Sequence, residues 1–206
     1  GCTRTGRFAA LTNFSQDTDP SVPKSRGSLV HEFLTSTQGA LAYAKTIDGP
    51  AYAGFNLLLF DGAQLAYASN IATGDTALPR LLGPGSYGLS NAELGAAWPK
   101  CIDGADAIAH LAAANCGIDA LLAQLTDSSI PADERLPNRQ RDLAFERRVA
   151  PCFIVGDDYG TRASSAVIFD NGHIYFSEQT YLAAGQVGER VDFEFPQRNT
   201  QQKERA

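Results

Sequence analysis

The sequence contains no methionine, one tryptophan and three histidines, and its apolar residues never run unbroken for the roughly 20 positions that a bilayer-spanning helix requires. Its polar start also lacks the apolar core of a secretory signal. Cysteine is scarce: Cys2, Cys101, Cys116 and Cys152 make no Cys-x-x-Cys pair, and no histidine stands at a metal-ligand offset from them. That excludes the common zinc spacings and a disulfide scaffold, and four reduced, mostly buried thiols are expected. Positive charge is in the minority, with 17 Lys and Arg against 23 Asp and Glu and a net charge of -6, which excludes the clustered basic face that nucleic acid demands. The four arginines of Pro137 to Arg148 are interrupted by Asp142 and Glu146 and read as a solvated helix face. Together these absences predict a chain without membrane span, metal or nucleic-acid partner, located in the cytoplasm or an organelle lumen.

What is present suits a folded domain. With 206 residues, 44% hydrophobic and 19% charged, the composition predicts a single domain over residues 1–195 and a polar tail, 196–206, left disordered. Thr5-Gly6-Arg7 has the composition of a tight turn, and Phe8 to Leu11 then run apolar as a strand covered on both faces. A core strand so close to residue 1 predicts a domain whose first strands are missing from this chain.

Phe14 to Arg26, with Pro20 and Pro23, has the length and polarity of a lid loop. Ser28 is placed to cap a helix with Leu29, Val30, Phe33 and Leu34 inward, and Ala40, Tyr43, Ala44 and Ile47 give a second helical stripe. Phe55 to Phe60 and Gln64 to Ser69 flank Asp61-Gly62 as a hairpin, and Asn70 to Gly83 is irregular. Tyr87 to Asn91 has the pattern of a short strand, with Asn91 at a strand-to-helix junction. Lys100 to Asp127 is helical, clearest in the Ile118, Leu121, Leu122 and Leu125 stripe, and Ser128 to Val149 is a connection with one short helix at most. Strands are then expected at Cys152 to Val155, Ser165 to Phe169, His173 to Ser177 and Val191 to Phe195. Hairpins grouped around helical blocks predict an α+β fold with antiparallel sheets.

Five ordered blocks carry a family resemblance: Thr3-Arg-Thr-Gly-Arg-Phe-Ala-Ala-Leu-Thr-Asn-Phe14, Tyr52-Ala-Gly-Phe-Asn-Leu57, Pro84-Gly-Ser-Tyr-Gly-Leu-Ser-Asn-Ala92, Trp98-Pro-Lys100 and Tyr159-Gly-Thr-Arg-Ala-Ser-Ser165. They resemble the transport-and-Golgi-organisation family, also called the NRDE family, over nearly the whole chain to Phe195. The family's Met-Cys start and Asn-Arg-Asp-Glu motif do not occur here. The resemblance implies the four-layer αββα sandwich of N-terminal-nucleophile hydrolases. In those enzymes the first side chain attacks a carbonyl and nearby donors hold the oxyanion. It implies a nucleophile upstream of this chain, so that the chain as it stands is inactive.

By analogy with cysteine-type N-terminal amidases, Asn91 is an oxyanion donor, Arg162 a nucleophile-tuning cation and Asn13 a substrate-positioning amide. Thr161 and Trp98 are further substrate-binding candidates. Cys2 would need Gly1 trimmed and occupies a strand register, so a buried strand thiol is the better reading. The run Gly1 to Thr5 imitates an acylation signal, a reading that fails if a strand precedes Gly1 and is discounted here.

Each functional reading has a plain structural counterpart. A strand-end Asn bonds its own turn, and Arg162 has local acids in Asp157 and Asp158. His31, His110 and His173 read as satisfied or surface residues, Ser90 lacks a recognisable His-Asp partner, and Asn13-Phe14-Ser15 matches a glycosylation sequon. Two functions stay open: hydrolysis of a small amide or acyl compound, or binding and trafficking of haem or an acyl-CoA lipid on the same scaffold, with haem as cargo rather than resident cofactor.

Overall fold

The structure is a computed structural model that describes residues 1–14, 24–71 and 79–198. The middle of the Phe14 to Arg26 lid, Ser15 of the sequon, part of the Asn70 to Gly83 stretch and most of the tail lie outside the described residues. The fold is α+β, with antiparallel sheets.

Two compact bodies make up the chain. The first comprises the described residues of Gly1–Pro84, Leu89–Leu94 and the last described residues, and the second comprises Gly85–Gly88 and Gly95–Pro196.

In the first body, β1 (Phe8–Asn13), β2 (Phe55–Phe60), β3 (Leu65–Ser69) and β4 (Arg80–Leu82) form an antiparallel sheet in sequence order. Phe8 faces Phe60 and Asn13 faces Phe55 across the first pair. Gly6 and Gly62 hold φ of +84° and +98° in the turns before β1 and between β2 and β3, a backbone that side chains resist. Arg80–Leu82 pair with β3, so the stretch expected to be irregular contains a short strand.

Helices α1 (Gly27–Thr35) and α2 (Ala40–Ala44) pack on one face of this sheet. Leu29 and Phe33 of α1 and Tyr43 of α2 close on Ala9, Leu57, Leu59 and Ala66, all nearly or wholly buried. Each side chain of the size of Leu or Phe buried there contributes about 1.5–3 kcal/mol of apolar transfer. Ser28 does not cap α1, because the helix begins one residue earlier and has no side-chain cap. Ser25 instead accepts from the Gly27 amide.

Asp61 joins the β2–β3 turn to α2. Its carboxylate accepts from Ala40 N at 2.8 Å, Ala63 N at 3.0 Å and Gln64 N at 2.9 Å. Burial alone would raise this carboxyl, but the three backbone donors and the Arg7 charge more than offset that and hold it below the usual range. A depressed carboxyl contributes stability that is full above its unfolded value near pH 4 and lost as pH falls through the lower folded value. Asp61→Asn is expected to cost about 1 kcal/mol near neutrality, a cap-sized loss discounted for solvent screening. In urea titrations the gap from the parent should narrow as pH falls below about 4. Parallel pH curves for the two proteins would refute this role.

In the second body, α3 (Pro99–Ala113), α4 (Ile118–Gln124) and α5 (Leu143–Val149) precede β5 (Ala163–Asp170), β6 (His173–Tyr181) and β7 (Val187–Pro196). The three strands form an antiparallel sheet in that order, with α4 against β5 and β6 through the buried Leu122. Cys152 to Val155 is not a strand. Its amides bond atoms outside any ladder instead: Phe153 N donates to Asp127 O at 2.8 Å, and Ile154 N to Thr161 Oγ1 at 2.9 Å.

Candidate functional site

Strand alternation gives the first sheet two faces. Ala9, Leu57, Leu59, Ala66 and Ala68 belong to the helix-covered core, so Thr12, Asn56, Leu58 and Tyr67 occupy the other face. Asn56 is fully buried there. Its Nδ2 donates to Thr12 Oγ1 at 3.1 Å and to Ala92 O at 2.9 Å, and its Oδ1 accepts from Tyr67 OH at 2.7 Å. Thr12 Oγ1 donates to Ser90 O at 2.7 Å, and Leu94 N donates to Tyr67 OH at 3.3 Å. Arg80 lies over the Tyr67 ring at 4.9 Å.

The segment Leu89–Leu94 therefore crosses this face held by side chains. Tyr87 to Asn91 is not the strand that its sequence suggests; no ladder forms, and Asn91 lies in irregular chain. Asn91 Nδ2 donates to the carbonyl of Asn13 at 2.7 Å, joining two of the expected site residues at the end of β1. The second Asn91 N–H has no acceptor among the described residues, and Ser90 Oγ is 3.5 Å from its Oδ1.

The other expected residues belong to the second body. Thr161 and Arg162 share a small cleft of about 50 Å³ with Asp157 and Asp158. Thr161 mainly organises the loop, since its amide donates to Ile154 O at 2.8 Å and its hydroxyl accepts from Ile154 N. Arg162 is exposed, and among the described residues it forms no ion pair with Asp157 or Asp158. Trp98 lines a different, nearly filled cavity with Lys100 and Arg139, whose guanidinium lies 4.8 Å above the indole. Lys100 Nζ donates to Val149 O at 2.8 Å, and burial, then the Arg139 charge, pushes its ammonium below the ordinary lysine value.

The cysteines are free, but only Cys101 is buried, Cys2 and Cys116 are half-buried and Cys152 is exposed, so the expectation of mostly buried thiols is corrected. Cys2 bridges Phe8 in the first hairpin, and burial pushes its thiol up despite the Gly1 amine that opposes it. That direction disfavours the thiolate. His31, His110 and His173 are exposed, with His110 Nδ1 2.8 Å from Asp106 O. Among the described residues no group of three or more His, Cys, Asp or Glu could hold a metal ion, and no helix is long and apolar enough to cross a membrane.

Sequence reasoning missed Asn56, Thr12 and Tyr67. The available signal was an amide inside Phe55-Asn-Leu-Leu-Leu-Phe60, where a buried polar side chain requires dedicated partners.

Comparison with known proteins agrees with the ordered blocks. A protein from Bos taurus named Transport and Golgi organization protein 2 homolog is 32% identical over 201 aligned residues, covering 89% of this chain and 72% of the relative. The Mus musculus Transport and Golgi organization 2 homolog is 31% identical over 199, covering 88% and 71%. The Homo sapiens homologue shows the same identity and coverage. The sequence model of the family described as Transport and Golgi organisation 2 matches residues 1–183, and the chain belongs to that family.

Proposed function

We propose that this protein is an amidohydrolase of the N-terminal-nucleophile type acting on a small amide or acyl compound, with Asn91 as oxyanion donor. The observation that carries this is the bond from Asn91 Nδ2 to the main-chain carbonyl of Asn13 at 2.7 Å, at the end of β1. A primary amide carries two N–H donors, and with one committed to Asn13 O the other is left to donate to a developing oxyanion. In this reading Asn13 positions substrate, Arg162 tunes the nucleophile, and Thr161 and Trp98 contribute to the substrate walls. Cys2 does not serve as nucleophile, for the reasons of register and burial given above.

The four-layer αββα arrangement and a single domain over residues 1–195 belong to the same proposal; their support is that each sheet carries helices of its own. A cytoplasmic or organelle-lumen location goes with it, in keeping with free cysteines.

The test is acyl-amide turnover by the full-length protein. Loss of an oxyanion donor lowers turnover by about 100- to 1000-fold, so Asn91→Ala is expected to fall in that range and Arg162→Ala to lower the rate as well. Unchanged rates in both variants eliminate the catalytic reading. A second reading draws on the relatives' names, which speak of transport and Golgi organisation. It makes the scaffold a carrier of haem or acyl-CoA, and saturable binding of either ligand without turnover would favour it.

A further inference from the structure

We infer that Asn56 is the positioning residue of this site: acting with Thr12 and Tyr67, its side-chain amide sets the path of residues 90–94 and so the orientation of Asn91. Its consequence for turnover rests on the reading of Asn91 as a donor, but the positioning itself does not.

A segment outside a ladder must satisfy its backbone some other way. Here the carbonyls of Ser90 and Ala92 and the amide of Leu94 are met by one side chain from each of three adjacent strands: Thr12 from β1, Asn56 from β2 and Tyr67 from β3. The anchored positions are two residues apart, the repeat of an extended chain. Asn91 stands between two anchored carbonyls, and its amide meets Asn13, the residue after Thr12.

Asn56 is the centre because its capacity is spent in both directions. Two N–H groups face Thr12 Oγ1 and Ala92 O, with Ser90 O a longer 3.4 Å away, while the carbonyl oxygen takes the Tyr67 proton. Turning the amide over would set an oxygen against those acceptors and an N–H against the Tyr67 donor, so only one orientation satisfies the network. Tyr67 in turn accepts from Leu94 because its own proton is committed to Asn56. The positions around it on β2 are filled by Phe55 and by Leu57 to Leu59, so filling space does not require an amide there. With the side chain fully buried, water cannot replace a lost partner.

The test uses the full chain labelled with ¹⁵N. Tyr67→Phe is expected to speed hydrogen exchange of the Leu94 amide at least tenfold, leaving the Leu57 and Leu59 amides of β2 unchanged. Thr12→Val should move the Asn91 side-chain NH₂ signals toward those of a free amide, and Thr12→Ser, which keeps the hydroxyl, should restore them. Asn56→Asp, which keeps the shape and removes both donors, should produce both effects. If the Leu94 amide and the Asn91 signals stay as in the parent in the two hydroxyl deletions, the positioning role is overturned. If they move as expected while Asn91→Ala leaves turnover unaltered, the positioning role stands and the amidohydrolase reading falls.

Discussion

Replacing Arg7 with alanine is expected to destabilise the protein by about 3–4 kcal/mol, a sum of lost charge-assisted hydrogen bonds and a lost cation–π contact. Arg7 follows the turn into β1 yet is only 8% exposed, because its guanidinium reaches the end of α1. Its Nε and Nη2 donate to Phe33 O at 3.2 and 3.1 Å, and Nη2 also donates to Gln38 O at 2.8 Å. The same group lies 4.0 Å over the Phe33 ring. Phe33 O also accepts from Ser36 N at 3.2 Å and Ser36 Oγ at 3.0 Å, so what favours a cation there is chiefly the negative end of the helix dipole. Burial pulls the guanidinium below the ordinary arginine value, opposed by Asp61, yet it stays charged at any working pH.

Lysine should not rescue this position, since a single ammonium cannot donate to two carbonyls and stack flat on the ring at once. For a chain of this size the expected loss lowers the melting temperature by roughly 10 °C. Thermal unfolding of Arg7→Ala and Arg7→Lys measures it. A shift under about 2 °C in the alanine variant would show that the contacts add little to stability.

Arg7 also shows what could be read from the sequence and what could not. Local signals were reliable where the chain closes on itself: Asp61-Gly62 and Asn171-Gly172 mark turns, and the strands beside them pair as expected. Signals that depend on a distant partner were not. Cys152 to Val155 and Tyr87 to Asn91 have strand-like composition, but a strand exists only by pairing, and their backbone partners are loop atoms and side chains. Arg80–Leu82 pairs with β3 over only three residues, too short for any periodicity to appear.

The candidate site divides along the same line. Asn13 and Asn91 stand out as polar residues where apolar runs end, and they meet. Asn56 was hidden by the leucines around it, and Arg7 by its place beside a turn glycine. In each case the deciding contact lies more than 20 residues away in sequence. Glu146 was hidden by neighbouring charges of the opposite sign, which suggested solvent where the structure has a buried ion pair.

That pair leads to the second large effect. Glu146 is 4% exposed at the inner side of α5, which corrects the expectation of a solvated face over Pro137 to Arg148. It accepts from Arg139 Nε at 3.1 and 2.9 Å and also from Nη2, and the same guanidinium lies over Trp98 and Phe145. Removing one partner of a buried pair costs about 3–5 kcal/mol, because the remaining charge loses its compensation. Arg139 keeps some access to water, 21% of its side chain against 5% for Glu146, so the lower end is expected for Glu146→Ala. The loss reaches further, since Glu146 is one of the charges that raise the lysine ammonium of Lys100 against burial and Arg139. Without it Lys100 should release its proton at still lower pH. The double variant Arg139→Met/Glu146→Leu separates pairing from packing: apolar replacement of both partners of a buried pair is often neutral, so it should recover most of the stability lost in Glu146→Ala. A double variant as unstable as the single one would mean that the helix needs the shape of these side chains and not their charges. A Glu146→Ala protein as stable as the parent would mean that Arg139 finds water at no cost.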